Sequence, residues 1–205
     1  MCYNYQISKS GKIIEQKFKR RFEQPEAFEP RTKITGFAHP FLPVITNKQP
    51  DEILLYKWGL IPHWAKDAGI SKQTLNARIE TLKEKPSFRS YTANRCLIIA
   101  DGFTEWKWLD EKGKQKQPYL IGLPTNDCFA FAGLFATWQN PATGLPVHTY
   151  TIITTEANEL MAEIHNTAKR MPVILKPEEE NEYLNGLDFK EITDRTDFEL
   201  VATPS

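Results

Sequence analysis

The chain is poor in cysteine, in uncompensated charge and in long apolar runs, and each shortage excludes something. Its three cysteines, Cys2, Cys96 and Cys128, are odd in number and carry no CxxC spacing. That argues against a disulfide framework and against a zinc site, and no metal or cofactor is expected. No stretch approaches the ~20 apolar residues of a membrane span. The segment ISKSGKIIEQ lacks the apolar core of a signal peptide. The expectation is a cytoplasmic protein that does not associate with membranes. Low-complexity tracts, internal repeats and Gly/Ser linkers are missing too, so residues 1–205 read as one domain and as a monomer. Net charge is zero, with 26 Lys and Arg against 26 Asp and Glu, which by itself argues against a nucleic-acid partner. The distribution says otherwise: residues 1–95 hold 17 basic against 9 acidic side chains, and residues 96–205 the reverse. An anionic partner for the basic half and attraction between the two halves both fit that pattern.

What is present is an ordinary globular composition, 40% hydrophobic and 25% charged, with enough chain to bury a core. Strand signals crowd the second half: RCLIIA (95–100), FTEWKW (103–108) after the turn signal Asp101-Gly102, PYLIGL (118–123) after the polar loop EKGKQKQ, then CFAFAGLFATW (128–138) and VHTYTIITT (147–155). Apolar runs at this spacing predict short strands in a twisted sheet. Helices are predicted over TEANELMAEIH (155–165) with Thr155 as N-cap, over LKPEEENEYLNG (175–186) from Pro177 to Gly186, and around AGISKQTLNARIETL. The class is α+β: a single domain with a twisted, partly closed antiparallel β-barrel-like core and flanking helices.

Five stretches carry chemistry. Removal of Met1 turns Cys2 into a 1,2-aminothiol. An α-amine titrates near neutrality, so it attacks aldehydes to give a Schiff base, and the adjacent thiol can close a five-membered thiazolidine. An incidental cysteine is the plain alternative. KWGLIPHWAKD (57–67) reads as an aromatic core corner at Trp58, or, with Pro62 and His63 suiting a loop, as an exposed Trp64 placed for base stacking. LNARIETLKEKPSFR (75–89) combines Asn76 with Arg78, Lys83, Lys85 and Arg89, suited to phosphate oxygens or to a solvated basic face. In DGFTEW (101–106), Glu105 among aromatics can have a raised pKa and act as acid or base; a surface pair with Lys107 serves as well. In EIHNTAKRMPVIL (163–175), His165 ends a helix, where its proton affinity lies close to working pH, or it is a satisfied structural histidine.

Taken in order, Cys2, WGLIPHWAKD, NAR-x-E, RCLIIADGFTEW and IH…RMPVIL resemble the SRAP family, the SOS response-associated peptidase domain, from Cys2 to about Leu175 with residues 176–205 as a C-terminal helix and tail. The resemblance implies a barrel-like core and binding of abasic sites in single-stranded DNA or at single-strand/double-strand junctions. It further implies a covalent thiazolidine crosslink from Cys2 to the ring-opened sugar, and abasic-site lyase activity if the ring does not close. It assigns Cys2 as nucleophile, Asn76 to position sugar and amine, Glu105 to open the deoxyribose and shuttle protons, and His165 to act at the sugar hydroxyl. Arg78, Arg89 and Arg170 match its phosphate-contacting arginines, and Trp64 a DNA-stacking aromatic. The family's usual Gly-Arg after the cysteine is replaced by Tyr3 and Asn4, and a tight link from the histidine to Arg-Met-Pro is lengthened here by NTAK. Two other classes remain open: a thiol (auto)peptidase or N-terminal-nucleophile amidohydrolase, and a non-covalent single-stranded DNA-binding module.

Overall fold

Strands as apolar as those of the second half cannot leave either face in water, and they bury both by closing a ring. Every residue of Arg95–Ala100 and the first eight of Phe129–Gln139 are buried. In the computed structural model, which describes residues 2–205, five strands follow one another antiparallel: Pro146–Glu156, Phe129–Gln139, Arg95–Ala100, Phe41–Thr46 and Gln49–Trp58. The ring then closes by a parallel pairing of Thr149 with Lys57 and Tyr150 with Trp58, so the barrel is mixed and complete. Gly59, at φ 108°, turns the chain at that seam and donates its N–H to the Tyr150 carbonyl at 2.9 Å, a backbone angle that favours glycine.

The packing within this ring is tight enough to test. A Cβ on Gly133 would lie 2.4 Å from Cδ1 of Ile98 and 2.8 Å from the Thr151 carbonyl. Overpacking of a dense core costs ~1–3 kcal/mol, so Gly133→Ala is expected to lower stability by about that amount. Urea unfolding measures it as a lower midpoint at unchanged slope.

A second sheet carries the N-terminus. Its order is Val201–Pro204, Lys116–Gly122, Gly102–Trp108, Asn4–Ile7 and Arg31–Thr35, antiparallel throughout. The polar EKGKQKQ loop is the expected hairpin connection: Asp110 Oδ1 accepts the N–H groups of Lys112 and Lys114 at 2.8 and 3.1 Å, and Glu105 pairs with Tyr119 across the strands. Tyr5 joins the two sheets. Its ring packs 4.9 Å from Trp58, and its hydroxyl meets that of Tyr150 at 2.8 Å, so two buried polar tips satisfy each other.

The helices differ in part from expectation. Pro177–Leu184 starts at its proline as expected, and Glu179 Oε2 accepts the Lys176 N–H at 2.8 Å. The helix ending at His165 spans Glu159–Ile164 and is capped by Asn158, whose side chain accepts from the Met161 N–H at 3.0 Å. Thr155 still belongs to the Pro146–Glu156 strand. No α-helix forms in AGISKQTLNARIETL: the chain makes a 3₁₀ turn at Ala68–Gln73, a strand at Asn76–Arg78 and another 3₁₀ turn at Ile79–Thr81. Long-range bonds override the weak helical preference. Asn76–Arg78 pairs in parallel with Ile152–Thr154, the Trp58 indole donates to the Leu75 carbonyl at 2.9 Å, and Thr74 Oγ1 to that of Leu60 at 2.6 Å. A helix that the sequence analysis did not foresee, Gly11–Phe18, buries Ile14 and Phe18, four residues apart on one face. Among the described residues, no helix is long and apolar enough to cross a membrane.

Candidate active site

The site forms where the second sheet meets the short Asn76–Arg78 strand. Cys2 leads into Asn4–Ile7, which runs between Gly102–Trp108 and Arg31–Thr35, so its position is set by ladders on both sides. Its side chain is fully buried, with Sγ 3.8 Å from the Asn4 carbonyl. Burial, and secondarily the Glu105 carboxylate, push the thiol far above its ordinary range, so sulfur stays protonated at neutral pH. With Met1 in place the Cys2 nitrogen is part of a peptide bond. Met1, on whose removal the aminothiol depends, lies outside the described residues.

Asn76 touches Cys2 directly: its Nδ2 donates to the Cys2 carbonyl at 2.9 Å. Its Oδ1 is buried and accepts no hydrogen bond from the described residues, which places an acceptor beside the Cys2 main chain. The parallel ladder to Ile152–Thr154 fixes this side chain, which is why the segment is a strand.

Glu105 comes from Gly102–Trp108, whose antiparallel register pairs Phe103 with Tyr5 and so carries Glu105 level with the residues ahead of Asn4. It is 5% exposed, and burial raises its carboxyl to about 7. Near neutrality it is therefore part acid and part base, as a proton shuttle requires. The alternative of a surface pair with Lys107 is excluded, because Lys107 bonds Glu163 instead.

His165 is the C-cap of Glu159–Ile164 and is 9% exposed. Its Nδ1 lies 2.8 Å from the Arg170 carbonyl; a proton on Nδ1 makes that bond and leaves Nε2 as the basic nitrogen. Burial lowers its pKa, outweighing the helix dipole invoked from the sequence, and the ring is neutral at pH 7.

Two clefts flank Cys2. One, of about 330 Å³, is lined by Tyr3, Glu105, Trp106, Trp108, Lys116, His165 and Thr167. The other, of about 380 Å³, has Asn76 on its wall with Lys72, Arg78 and Lys85 among the lining cations. Tyr3 lines both. The fold thus gathers Cys2, Asn76, Glu105 and His165 from residues 2 to 165 of the chain. Tyr3, Lys72, Trp106 and Trp108 were not picked out as site residues in the sequence, although Tyr3 adjoins Cys2.

The four side chains proposed for DNA divide. Arg78 is exposed in the cationic cleft; Arg89 is exposed but lines neither cleft. Trp64, 49% exposed, also lines neither. Arg170 is buried, with its Nη1 and Nη2 bonded to Glu80 at 2.6 and 2.9 Å and Nη2 to the Thr154 carbonyl at 2.8 Å. A guanidinium held this way positions the His165 ring through the Arg170 carbonyl. Glu80→Ala strips that cation of its partner, and a stability loss of about 2–3 kcal/mol is expected, read as a lower urea midpoint. Among the described residues, no three His, Cys, Asp or Glu side chains converge as metal ligands.

The chain matches the model of the family described as SOS response associated peptidase (SRAP) over residues 1–203. It is 44% identical over 187 residues to the abasic site processing protein YoqW of Bacillus subtilis, covering 90% of this chain and 80% of that one. It is 36% identical over 168 residues to the abasic site processing protein HMCES of Gallus gallus, covering 71% of this chain and 48% of that longer one. A crystal structure of a Bacteroides thetaiotaomicron protein superposes with a TM-score of 0.89 at 32% identity, covering 99% of this chain and 91% of the other. With a family model spanning nearly its whole length, this chain belongs to the SRAP family.

Proposed function

We propose that this protein processes abasic sites in single-stranded DNA, or at single-strand/double-strand junctions, by bonding them covalently to Cys2. The observation that carries the proposal is the hydrogen bond from Asn76 to Cys2, with Glu105 and His165 in the adjoining cleft. Relatives named for abasic site processing point the same way. Loss of Met1 frees the amine. Its nitrogen, oriented by Asn76 Oδ1, attacks the C1′ aldehyde of the open-chain sugar. Protonated Glu105 gives its proton to the carbinolamine hydroxyl, which leaves C1′ as water, and the nitrogen lone pair closes the imine. The Cys2 sulfur then bonds to C1′ while its proton passes to nitrogen. One water is released overall and nothing is oxidised or reduced. His165 Nε2 takes and returns a proton at the sugar hydroxyl. Arg78, with Lys72 and Lys85, faces the phosphates, Arg89 holds backbone farther out, and Trp64 stacks a base there, worth ~1–3 kcal/mol. An imine that escapes ring closure can instead lose its C2′ proton and expel the 3′ phosphate, the lyase outcome.

The test is to confirm loss of Met1 by intact mass, then incubate the protein with single-stranded DNA carrying one abasic site. A band that stays shifted through heat and denaturing electrophoresis, absent with intact strands, is the expected result; its absence refutes the proposal. Removal of its own Met1 as a thiol peptidase is compatible with the same site. Glutamine-dependent ammonia release points instead to an amidohydrolase. Salt-sensitive binding that is equal for intact and abasic strands points to a binding module.

A further inference from the structure

Tyr3, which lines both clefts, forms an aromatic pair with Phe37, which lies just outside them. Their ring centroids are 5.1 Å apart with the planes tilted by 31°, and Phe37 is 61% exposed. A lone exposed phenylalanine needs no explanation, but two features set this one apart. Its turn, Gly36–Ala38, is rigidly seated. The Gly36 N–H donates to the Tyr3 carbonyl at 2.9 Å, and His39 Nδ1 sits 2.8 Å from the Trp58 carbonyl. A Cβ on Gly36 would come within 3.1–3.2 Å of Leu75 and Trp58, so the turn lies hard against the core and holds Phe37 outward. Its partner Tyr3 borders the cationic cleft of Lys72, Arg78 and Lys85 on one side and the Glu105–His165 cleft on the other. On a strand with its phosphates against the cations and its reactive sugar beside Glu105, a neighbouring base would lie within reach of Tyr3, which borders both clefts.

We propose that Tyr3 and Phe37 are a stacking platform for the nucleobase next to the abasic residue, and that they make the protein selective for which base that is. The lesion has lost its own base, so its neighbour lacks a stacking partner on one face. The aromatic pair supplies one, and a purine gains more contact than a pyrimidine. This inference rests on an abasic strand as the substrate.

A double-mutant cycle tests it on DNA carrying a tetrahydrofuran abasic analogue, which has no aldehyde, so binding is separated from crosslinking. The residue beside the analogue is adenine, thymine or a second tetrahydrofuran, and affinity is read by fluorescence anisotropy for the unsubstituted protein, Phe37→Ala and Phe37→Trp. Deleting the neighbouring base is expected to weaken the unsubstituted protein roughly tenfold and Phe37→Ala about twofold or less, with adenine above thymine and Trp restoring the difference. Equal losses in all three proteins, or no binding at all, overturn the platform. Crosslinking to natural abasic DNA, run in parallel, keeps the two proposals apart. Adducts without neighbour dependence refute only the platform, and neighbour-dependent binding without adducts refutes only the covalent reaction.

Discussion

Cys2→Ala is expected to cut the heat-stable DNA adduct at least ~100-fold while leaving an imine that borohydride can trap. The variant keeps an N-terminal amine once Met1 is gone, so nitrogen still reaches the aldehyde. Without sulfur there is no ring, and the imine hydrolyses or eliminates. Denaturing gels run with and without borohydride separate these fates, and strand cleavage should rise as the stable band falls. An adduct of normal yield and heat stability from Cys2→Ala contradicts thiazolidine chemistry. The buried sulfur adds a second expectation. Because burial holds the thiol protonated, Cys2 should react with iodoacetamide at pH 7 far more slowly than an exposed cysteine. The S–H hydrogen then travels to the imine nitrogen as the ring closes, and no free thiolate is required.

Glu105→Gln is expected to lower the crosslinking rate by about 100-fold, within the usual range for a positioned acid or base, and to change the shape of its pH dependence. Attack needs the amine neutral, a condition met as pH rises through ~8. Loss of water needs Glu105 protonated, a condition lost as pH rises through about 7. The unsubstituted protein should therefore show a bell with its maximum between those values, and the variant only the rising limb. A bell that survives in Glu105→Gln shows that another group sets the falling limb. Stability gives a readout independent of DNA. The folded-state pKa of Glu105 lies above its ordinary value of 4.5, so between about 4.5 and 7 the native state binds more protons than the unfolded chain. Stability falls as pH rises through that window. Because glutamine does not titrate, the stability of the variant relative to the unsubstituted protein should improve by about 3 kcal/mol from pH 4.5 to pH 8. The difference between the two pH values cancels whatever contact the substitution costs at every pH.

Much of the architecture was written locally. Arg95–Ala100, Phe129–Gln139 and Pro146–Glu156 are runs of apolar and β-branched residues that only a buried sheet accommodates, and Pro177 with three following glutamates announces a helix start. The motifs around Cys2, Asn76, Glu105 and His165 were legible as motifs, and their order along the chain carried the family resemblance later matched over residues 1–203.

What the sequence could not decide was settled by contacts between distant segments. The stretch around Asn76 reads as helix by propensity and becomes a strand because Ile152–Thr154 offers it a ladder. Arg170 reads as a phosphate ligand by motif and is buried instead against Glu80, ninety residues away. Tyr3 reads as a departure from a pattern, yet it lines both clefts beside Cys2. The chain by itself determined which segments are apolar, where helices begin and which reactive groups are available, because those follow from residue type and near neighbours. Only the tertiary structure decided which carboxylate is dry enough to hold a proton near pH 7, which arginine is left exposed and which aromatic faces the solvent. Desolvation, ion pairing and exposure depend on what lies across the fold, and no local stretch of sequence encodes that.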